Sequence, residues 1–199
     1  MPINDKNDIS LGSGNLEFGT YTNDVFDTYS DVGAIKGTVT ITIEREVAEF
    51  ETGRPLVVIV QEVIRERVML RATLAEVTLA NIKKSLGAGT VYSSSLPVFL
   101  DGSSSALRGT LQTGKVAVNS GTLLKFGGTP THAYIGIRFT HKRADGKRTV
   151  FEGYKASPAG NIALPFNESD WNLTDVEFRL LADTNKTEGE QYFQISREA

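Results

Sequence analysis

The stretch Thr38-Val39-Thr40-Ile41-Thr42-Ile43-Glu44 alternates between polar and apolar residues without interruption. This period of two predicts a β-strand that turns one face to a core and the other face to water. Gly53-Arg54-Pro55 then interrupts the pattern, because glycine tolerates tight turning and proline donates no backbone hydrogen bond. We therefore predict a long β-hairpin with its tip at these three residues.

The returning limb of this hairpin, residues 56–74, also alternates. One face carries Ile64, Glu66, Val68, Leu70, Ala72 and Leu74, and the other carries Arg65, Arg67, Met69, Arg71 and Thr73. A face with three arginines cannot lie in a core. Glu44 and Glu46 are expected opposite it across the hairpin, so both cross-strand ion pairs and a charged lining fit the pattern. Exposed pairs of this kind contribute about 0 to 1 kcal/mol each.

The period changes to that of a helix after Leu74. Apolar residues recur at Ala75, Leu79, Ile82 and Leu86, and two lysines precede Gly87. Lysines in a last turn and a following glycine are typical of a helix C-terminus. We predict one amphipathic helix over about residues 75–86.

The composition excludes several classes of protein. With 199 residues, 40% apolar and 23% charged, the chain is expected to form one globular domain or at most two small ones. A net charge of -3 gives no electrostatic reason for tight binding of nucleic acid. The absence of cysteine excludes disulfides and thiolate metal sites and is typical of a cytosolic origin. No signal peptide and no membrane-spanning segment are predicted.

Residues 1–13 are polar and predict a mobile N-terminal arm, and residues 14–199 predict a single β-domain. In that domain, residues 88–108 are rich in Gly, Ser and Thr around an apolar island and predict a long loop. Strong alternation on both sides of Asp145-Gly146 predicts a second hairpin, from 133 to 154.

The remaining segments complete the prediction of a mainly β fold. They comprise a short strand over 12–19, a packed loop over 20–31, short strands over 115–118 and 122–126 around a turn, a segment over 161–166, a strand over 174–182 and a last strand over 191–196. The total is nine or ten strands and one helix. This is the pattern of a β-sandwich or partial barrel with one flanking helix and a long hairpin.

No constellation of residues supports catalysis, so we predict that the protein is not an enzyme and needs no cofactor. His132 and His141 are separated by an odd spacing along a predicted strand, which places them on opposite faces, and no shared metal site is expected. Gly12-Ser13-Gly14 lacks the helix and lysine of a phosphate-binding loop and predicts a turn. The glutamates clustered in the hairpin predict a solvated charged face.

A family resemblance rests on four features of the first 90 residues. These are Asp31-Val32-Gly33-Ala34-Ile35-Lys36-Gly37, the strand ending Glu44-Arg45-Glu46, the hairpin, and the helix ending Ala80-Asn81-Ile82-Lys83-Lys84-Ser85-Leu86-Gly87. Together they resemble the major tail tube proteins of long-tailed bacteriophages. The opening Leu11-Gly12-Ser13-Gly14-Asn15-Leu16-Glu17-Phe18-Gly19 is similar to the first strand of that family. Beyond these residues only strand number and chain length agree.

The resemblance implies a structural virion protein. Members of the family form six-membered rings that stack into a hollow tube, through which DNA leaves the capsid. The implied partners are identical copies, a tape-measure protein, the tail terminator and distal tail proteins, and DNA in transient, non-specific passage, with no membrane involved. The implied location is the phage tail, assembled in the host cytoplasm.

The resemblance also implies roles for individual residues. Hydroxyls and carboxylates that bind phosphate weakly or repel it would line the lumen: Thr38, Thr40, Thr42, Glu44 and Glu46. Ring-stacking or subunit contacts are expected at Glu51, Thr52, Gly53, Arg54, Pro55, Arg65, Arg67, Arg71, Leu96 and Phe99. Because unpaired arginines in a lumen would bind DNA, we expect glutamates or subunit contacts to neutralise them. The arm 1–13 and the loop 88–108 are expected to add contacts between rings.

Two other hypotheses stay open from the sequence. The first is a carbohydrate-binding β-sandwich module of a phage fibre or secreted protein, in which Trp171, Tyr134, Tyr154 and Tyr192 would form a stacking platform. Glycan binding by a stable monomer would favour it. The second is a related tube from a contractile tail or a secretion apparatus, which sequence alone separates poorly from the first tube family.

Overall fold

The computed structural model describes residues 14–22, 25–94, 98–99, 117–118, 121–128, 133–143, 145–166, 168 and 172–198. Within these ranges the chain forms twelve strands and one helix. The elements are β1 (Gly14–Thr22), β2 (Val25–Asp31), β3 (Ile35–Thr52), β4 (Val57–Leu74), α1 (Leu79–Leu86), β5 (Thr90–Ser94), β6 (Val98–Phe99), β7 (Ala117–Val118), β8 (Gly121–Lys125), β9 (Ile135–Lys142), β10 (Arg148–Pro158), β11 (Thr174–Leu181) and β12 (Phe193–Arg197).

Eight of these strands form one antiparallel sheet. Its order is β2-β1-β9-β10-β11-β4-β3, and β12 pairs with β10 beside this path. Two small two-stranded sheets, β5-β8 and β6-β7, complete the described part. The prediction of a mainly β fold with one helix and a long hairpin is confirmed.

The sheet curls so that strands distant in its order face one another across the core. The rings of Phe18 on β1 and Phe178 on β11 meet edge to face, with centroids 5.1 Å apart. On β4 the predicted apolar face is confirmed from Val68 to Leu74, where Val68, Leu70, Ala72 and Leu74 are buried. Ile64 was predicted on the same face but is 61% exposed. The rest of the core is built by residues from both sides of the curl: Leu16, Phe18, Val32, Ile135, Ile137, Phe151, Ala156, Val176, Phe178 and Leu180.

The helix is shorter than predicted, because it begins at Leu79 rather than near Ala75. Thr78 is the N-cap, and its hydroxyl accepts a hydrogen bond from the Asn81 N–H at 3.2 Å. Residues before this cap are instead held by Ala34, the residue directly before β3. The Ala75 N–H donates to Ala34 O at 2.8 Å, and the Glu76 carboxylate accepts from the Ala34 N–H at 3.2 Å.

Two predicted loops contain strands. Residues 25–31 form β2, which lies at the edge of the sheet and pairs with β1 alone. The backbone pairing defines this strand, and its sequence shows little apolar alternation. Within the predicted loop 88–108, residues 90–94 form β5 and 98–99 form β6, each paired with a segment more than 15 residues away. The other residues of that loop lie outside the described residues, as does the predicted arm 1–13.

Four further predictions concern the second half of the chain. The hairpin around Asp145-Gly146 is confirmed, with β9 and β10 as its limbs, and β12 confirms the predicted last strand. The short strands near 115–126 do not pair with each other, because β7 pairs with β6 and β8 pairs with β5. Residues 161–166 contain no strand.

Gly87 ends α1 in a left-handed conformation, with φ of 63°, and its N–H donates to Lys84 O. A Cβ added there would lie 2.7 Å from Pro158 Cγ, whereas Gly146, with φ of 86°, has open space around the same position. We expect Gly87→Ala to lower the free energy of unfolding by about 2 kcal/mol and the matched Gly146→Ala by about 1 kcal/mol, since only the first adds a clash to the backbone cost. Urea denaturation measures both, and equal losses would contradict this explanation.

Candidate assembly interface

The hairpin carries a continuous polar face on the side of the sheet away from the core. Five exposed residues of β3 lie on it: Thr38, Thr40, Thr42, Glu44 and Glu46. The strand register places Thr40 opposite Arg71, Glu44 opposite Arg67 and Glu46 opposite Arg65. The structure thus brings the residues predicted for a lumen together with the three predicted contact arginines on one surface.

Carboxylates neutralise two of these arginines. Arg65 pairs with Glu46 at 3.0 Å. Arg71 forms a bidentate ion pair with Glu177 on β11, at 3.0 and 3.2 Å. These pairs confirm the expected neutralisation of Arg65 and Arg71 by glutamates. Arg67 lies opposite Glu44 in the strand register, but no ion pair of Arg67 is seen among the described residues. The pairs are exposed, so we expect each to add only about 0 to 1 kcal/mol to stability, and their main effect is on surface charge.

The hairpin extends far beyond the body of the sheet. β11 pairs with β4 only between Leu74 and Val68, and every residue from 42 to 65 is exposed. From Glu44 to Thr52 the unsupported ribbon spans about 30 Å at the usual rise of a strand. We call residues 44–67 the arm, and residues 47–64 the distal arm.

The distal arm exposes large apolar side chains. They are between 41% and 70% exposed: Val47, Phe50, Leu56, Val57, Val58, Ile59, Val60, Val63 and Ile64. Val47 pairs with Val63, and Phe50 pairs with Val60. Because side chains alternate along β3, these two pairs lie on opposite faces of the ribbon. The arm is therefore apolar on both faces near its end, whereas near the sheet one face is charged.

The structure places the predicted stacking residues Glu51, Thr52, Gly53, Arg54 and Pro55 together at the exposed end of the arm. The apolar residues beside them were not among the predicted contact residues. The signal was the run Val57-Val58-Ile59-Val60, four apolar residues in succession directly after the turn. An apolar run without alternation is typical of a strand that is buried on both faces. A strand that packs on a core with one face alternates between apolar and polar residues.

Not every predicted contact residue belongs to this arm. Phe99 lies in β6, in a separate two-stranded sheet, and Leu96 lies outside the described residues. Two residues considered for other functions, His132 and Trp171, also lie outside them.

A second polar site lies on the outer surface of β1, β9 and β10. It is a groove of about 880 Å³, and Glu17, Arg138 and Glu152 are among its lining residues. Arg138 pairs with Glu152 at 2.7 Å, and its guanidinium carbon lies 3.8 Å from the centroid of the Tyr29 ring. Burial, with Glu152 as a second cause, raises the pKa of Tyr29 to about 12.

This shifted pKa predicts a dependence of stability on alkaline pH. The folded state binds the Tyr29 proton more tightly than the unfolded state does. The contribution of Tyr29 to the free energy of unfolding is therefore fully present below pH 10 and is lost as the pH rises toward about 12. Tyr29→Phe should flatten the fall of unfolding free energy across this window by about 1 kcal/mol, after allowance for partial exposure. In a difference titration at 295 nm, the phenol lost in this variant should ionise near pH 12, and ionisation near pH 10 would contradict the assignment.

The tyrosines proposed for a carbohydrate platform have different surroundings. Tyr154 is only 8% exposed, and its hydroxyl donates to Gln194 Oε1 at 3.2 Å. Tyr134 stacks edge to face on Tyr21 and lies under the Lys155 ammonium at 4.6 Å. Tyr192 packs against the core. A buried ring offers no open face to a sugar, so Tyr154 cannot serve as a stacking surface in this conformation.

Within the described ranges, no three His, Cys, Asp or Glu side chains are grouped so that they could hold a metal ion. The helix seen in this part of the chain is too short to cross a membrane. No model of a known protein family matches the chain, and no curated protein matches it significantly.

Proposed function

We propose that this protein is a structural subunit that assembles with identical copies into stacked hexameric rings and forms a tail tube, the conduit for DNA ejection from a phage. The distal arm is the observation that carries this proposal. A single soluble domain seldom keeps an apolar patch of more than a few hundred Å² in water. An arm of about 30 Å with two apolar faces is stabilised by burial against other molecules.

The polar face supports the role of a channel lining. Three threonines and then two glutamates occupy every second position of β3 from residue 38 to residue 46. Glu46 pairs with Arg65, and Glu177 pairs with Arg71. A surface of this kind attracts phosphate weakly, because Arg65 and Arg71 already have carboxylate partners. DNA would slide along such a wall instead of binding to it.

Sheet edges support lateral association of copies. In the main sheet β2 and β3 are the end strands, so each has one side without a strand partner among the described residues. Unpaired strand edges join to other chains unless they are covered. Within the proposal, such joining closes a ring, and the tape-measure, terminator and distal tail proteins meet the tube during assembly in the host cytoplasm.

Electron microscopy of the purified protein tests the proposal directly. Negatively stained samples at high protein concentration should contain rings with six-fold symmetry and hollow tubes built from them. Sedimentation should show a mass that rises with concentration. A protein that stays monomeric over the whole range of concentrations would contradict the proposal, and monomers that bind to a glycan array would favour the carbohydrate-binding alternative.

The ion pairs predict that loss of their carboxylates strengthens the binding of DNA to the polar face of the hairpin. Glu46→Gln combined with Glu177→Gln frees Arg65 and Arg71, so assembled protein should retain duplex DNA about ten-fold more strongly at low salt, with a steeper dependence on salt concentration. Filter binding over a salt series measures this. Glu188→Gln, on an exposed turn, removes a carboxylate without freeing an arginine and should change retention little. Equal retention by the double variant and the unsubstituted protein would contradict the role of these pairs.

A further inference from the structure

The groove on β1, β9 and β10 has a basic end beside the turn that joins β9 to β10. The strand register places Lys142 directly opposite Arg148 there, and both side chains are exposed. Lys147 is exposed in the same turn. The other two charged residues of this turn, Arg143 and Asp145, form an ion pair with each other. Three cationic side chains therefore lie at this end of the groove.

Two of these cations face each other with little negative charge between them. Like charges directly opposite on paired strands repel each other. Glu198 Oε1 lies 3.9 Å from Arg148 Nε, and Glu198 Oε2 accepts a hydrogen bond from the Arg148 backbone N–H at 2.8 Å. Lys142 has no ion pair among the described residues. An anionic ligand placed between Lys142 and Arg148 would relieve this repulsion.

The opposite end of the groove is acidic. Arg138 pairs with Glu152 at 2.7 Å, and one of its nitrogens lies 3.7 Å from a Glu17 oxygen. Asp31 lies opposite Glu17 in the strand register, so one arginine meets three carboxylates. Ionised carboxylates accept hydrogen bonds and donate none, so this end suits the hydroxyl donors of a ligand. Arg138 precedes Lys142 by four positions on β9, and the two ends are about 13 Å apart at the usual rise of a strand.

Neutral polar residues line the groove between its two ends, namely Asn15, Thr140 and Ser196. Among the described lining residues, Val150 is the one large apolar side chain. An apolar peptide would therefore bury little apolar surface here. Duplex DNA carries negative charge along its whole length and would meet the carboxylates of the acidic end. A ligand with one anionic group and several hydroxyls matches all three parts of the groove.

The groove and the polar face of the hairpin point in opposite directions. Both lie on the side of the sheet away from the core, but they belong to strands that face each other across it. Phe18 of β1 meets Phe178 of β11 inside the curl, and β11 is the strand next to the hairpin. In a tube whose lumen is lined by the hairpin, the groove would therefore open on the outer wall.

We propose that this groove binds an acidic saccharide. A sugar carboxylate lies between Lys142 and Arg148, and sugar hydroxyls donate to Thr140, Glu17 and Glu152. Binding by a single copy depends on the groove alone. Its display on an outer wall rests on the proposed function, in which the groove recurs in every subunit. Many weak contacts then add up to firm adhesion to an acidic polysaccharide.

Titration calorimetry with oligogalacturonate, a chain of uronic acid units, tests the proposal at protein concentrations below those of tube formation. Lys142→Gln removes one charge from the basic end, so the dissociation constant should rise by about ten-fold. The matched Lys83→Gln removes an exposed cation from α1 and should change it by less than about two-fold. Both side chains are exposed, so the urea midpoint should stay unchanged in both variants.

Two further measurements separate a bound saccharide from a simple anion. Thr140→Val removes a hydroxyl from the middle of the groove at nearly constant side-chain size, and it should weaken the binding of oligogalacturonate by about three-fold. Sodium sulfate should displace oligogalacturonate no better than sodium chloride of equal ionic strength. Selective displacement by sulfate would show a site for anions alone, and unchanged binding by Thr140→Val would exclude the hydroxyl contact. Either result would overturn the saccharide assignment.

The groove and the tube can fail separately. No detectable binding by the unsubstituted protein, or equal binding by Lys142→Gln, would overturn the groove as a binding site. Lys142→Gln should form tubes at the same concentration as the unsubstituted protein, because the proposed stacking contacts lie on the arm. Failure of the unsubstituted protein to form tubes would contradict the proposed function and would leave binding by the single copy intact.

Discussion

Removal of the distal arm is expected to abolish tube formation while the domain still folds. In this variant residues 47–64 are replaced by Asn-Gly, which joins Glu46 to Arg65, residues that already face each other in the ladder. The two inserted residues favour a tight hairpin turn. In the proposed tube, loss of the exposed apolar surface would remove the attraction between stacked rings. We therefore expect no tubes at concentrations about 100-fold above those that suffice for the full chain.

The fold of the shortened protein serves as the internal control. The removed residues are exposed and contribute little to the core, so the free energy of unfolding should change by less than about 1 kcal/mol. Circular dichroism and urea denaturation check this, and microscopy with sedimentation checks assembly. Tubes from the shortened protein would contradict the role of the arm. Loss of the fold would show instead that the arm stabilises the domain.

Phe178→Ala is expected to have the largest effect on stability. The Phe178 ring is fully buried and meets Phe18 edge to face across the curled sheet, at a centroid distance of 5.1 Å. Truncation removes its apolar burial and leaves a cavity, since strands on both sides hold the surrounding residues in place. The expected loss is about 3 to 5 kcal/mol of unfolding free energy, a large part of the total of about 5 to 15 kcal/mol for a typical domain.

The matched control for this substitution is Phe166→Ala. It removes the same atoms from a side chain that is 85% exposed, so unfolding free energy should change by no more than about 0.5 kcal/mol. Both variants are compared by urea denaturation at a concentration too low for polymers. Similar losses at the two positions would mean that the ring contact between Phe18 and Phe178 does not anchor the core.

Local sequence patterns were sufficient for the elements with strong periodicity. Alternation in β4 predicted its buried face from Val68 to Leu74, and the Asp145-Gly146 turn predicted the hairpin of β9 and β10. The helix was predicted from its apolar spacing, although its start was placed four residues too early. Hydrogen bonds between residues 75 and 76 and Ala34, directly before β3, hold these two residues outside the helix, and no property of the local sequence reveals these bonds.

The exposure of the arm could not be predicted from the sequence. Alternation in Thr38 to Glu44 predicted a strand with one buried face, but it does not tell where along the hairpin the sheet ends. That point is set by β11, which pairs with β4 only as far as Val68. The apolar residues beyond it are exposed because, among the described residues, no strand pairs with β4 beside them.

The sequence by itself determined which residues alternate, and hence the long hairpin, its polar face and the apolar face that fills the core. These properties are local, since each depends on the period of neighbouring side chains. Only the tertiary structure decided which strands pair, which glutamates reach Arg65 and Arg71, and which apolar side chains remain in water. Such pairings join residues as far apart as Arg71 and Glu177, and they depend on the order of strands in the sheet, which no short stretch of sequence encodes.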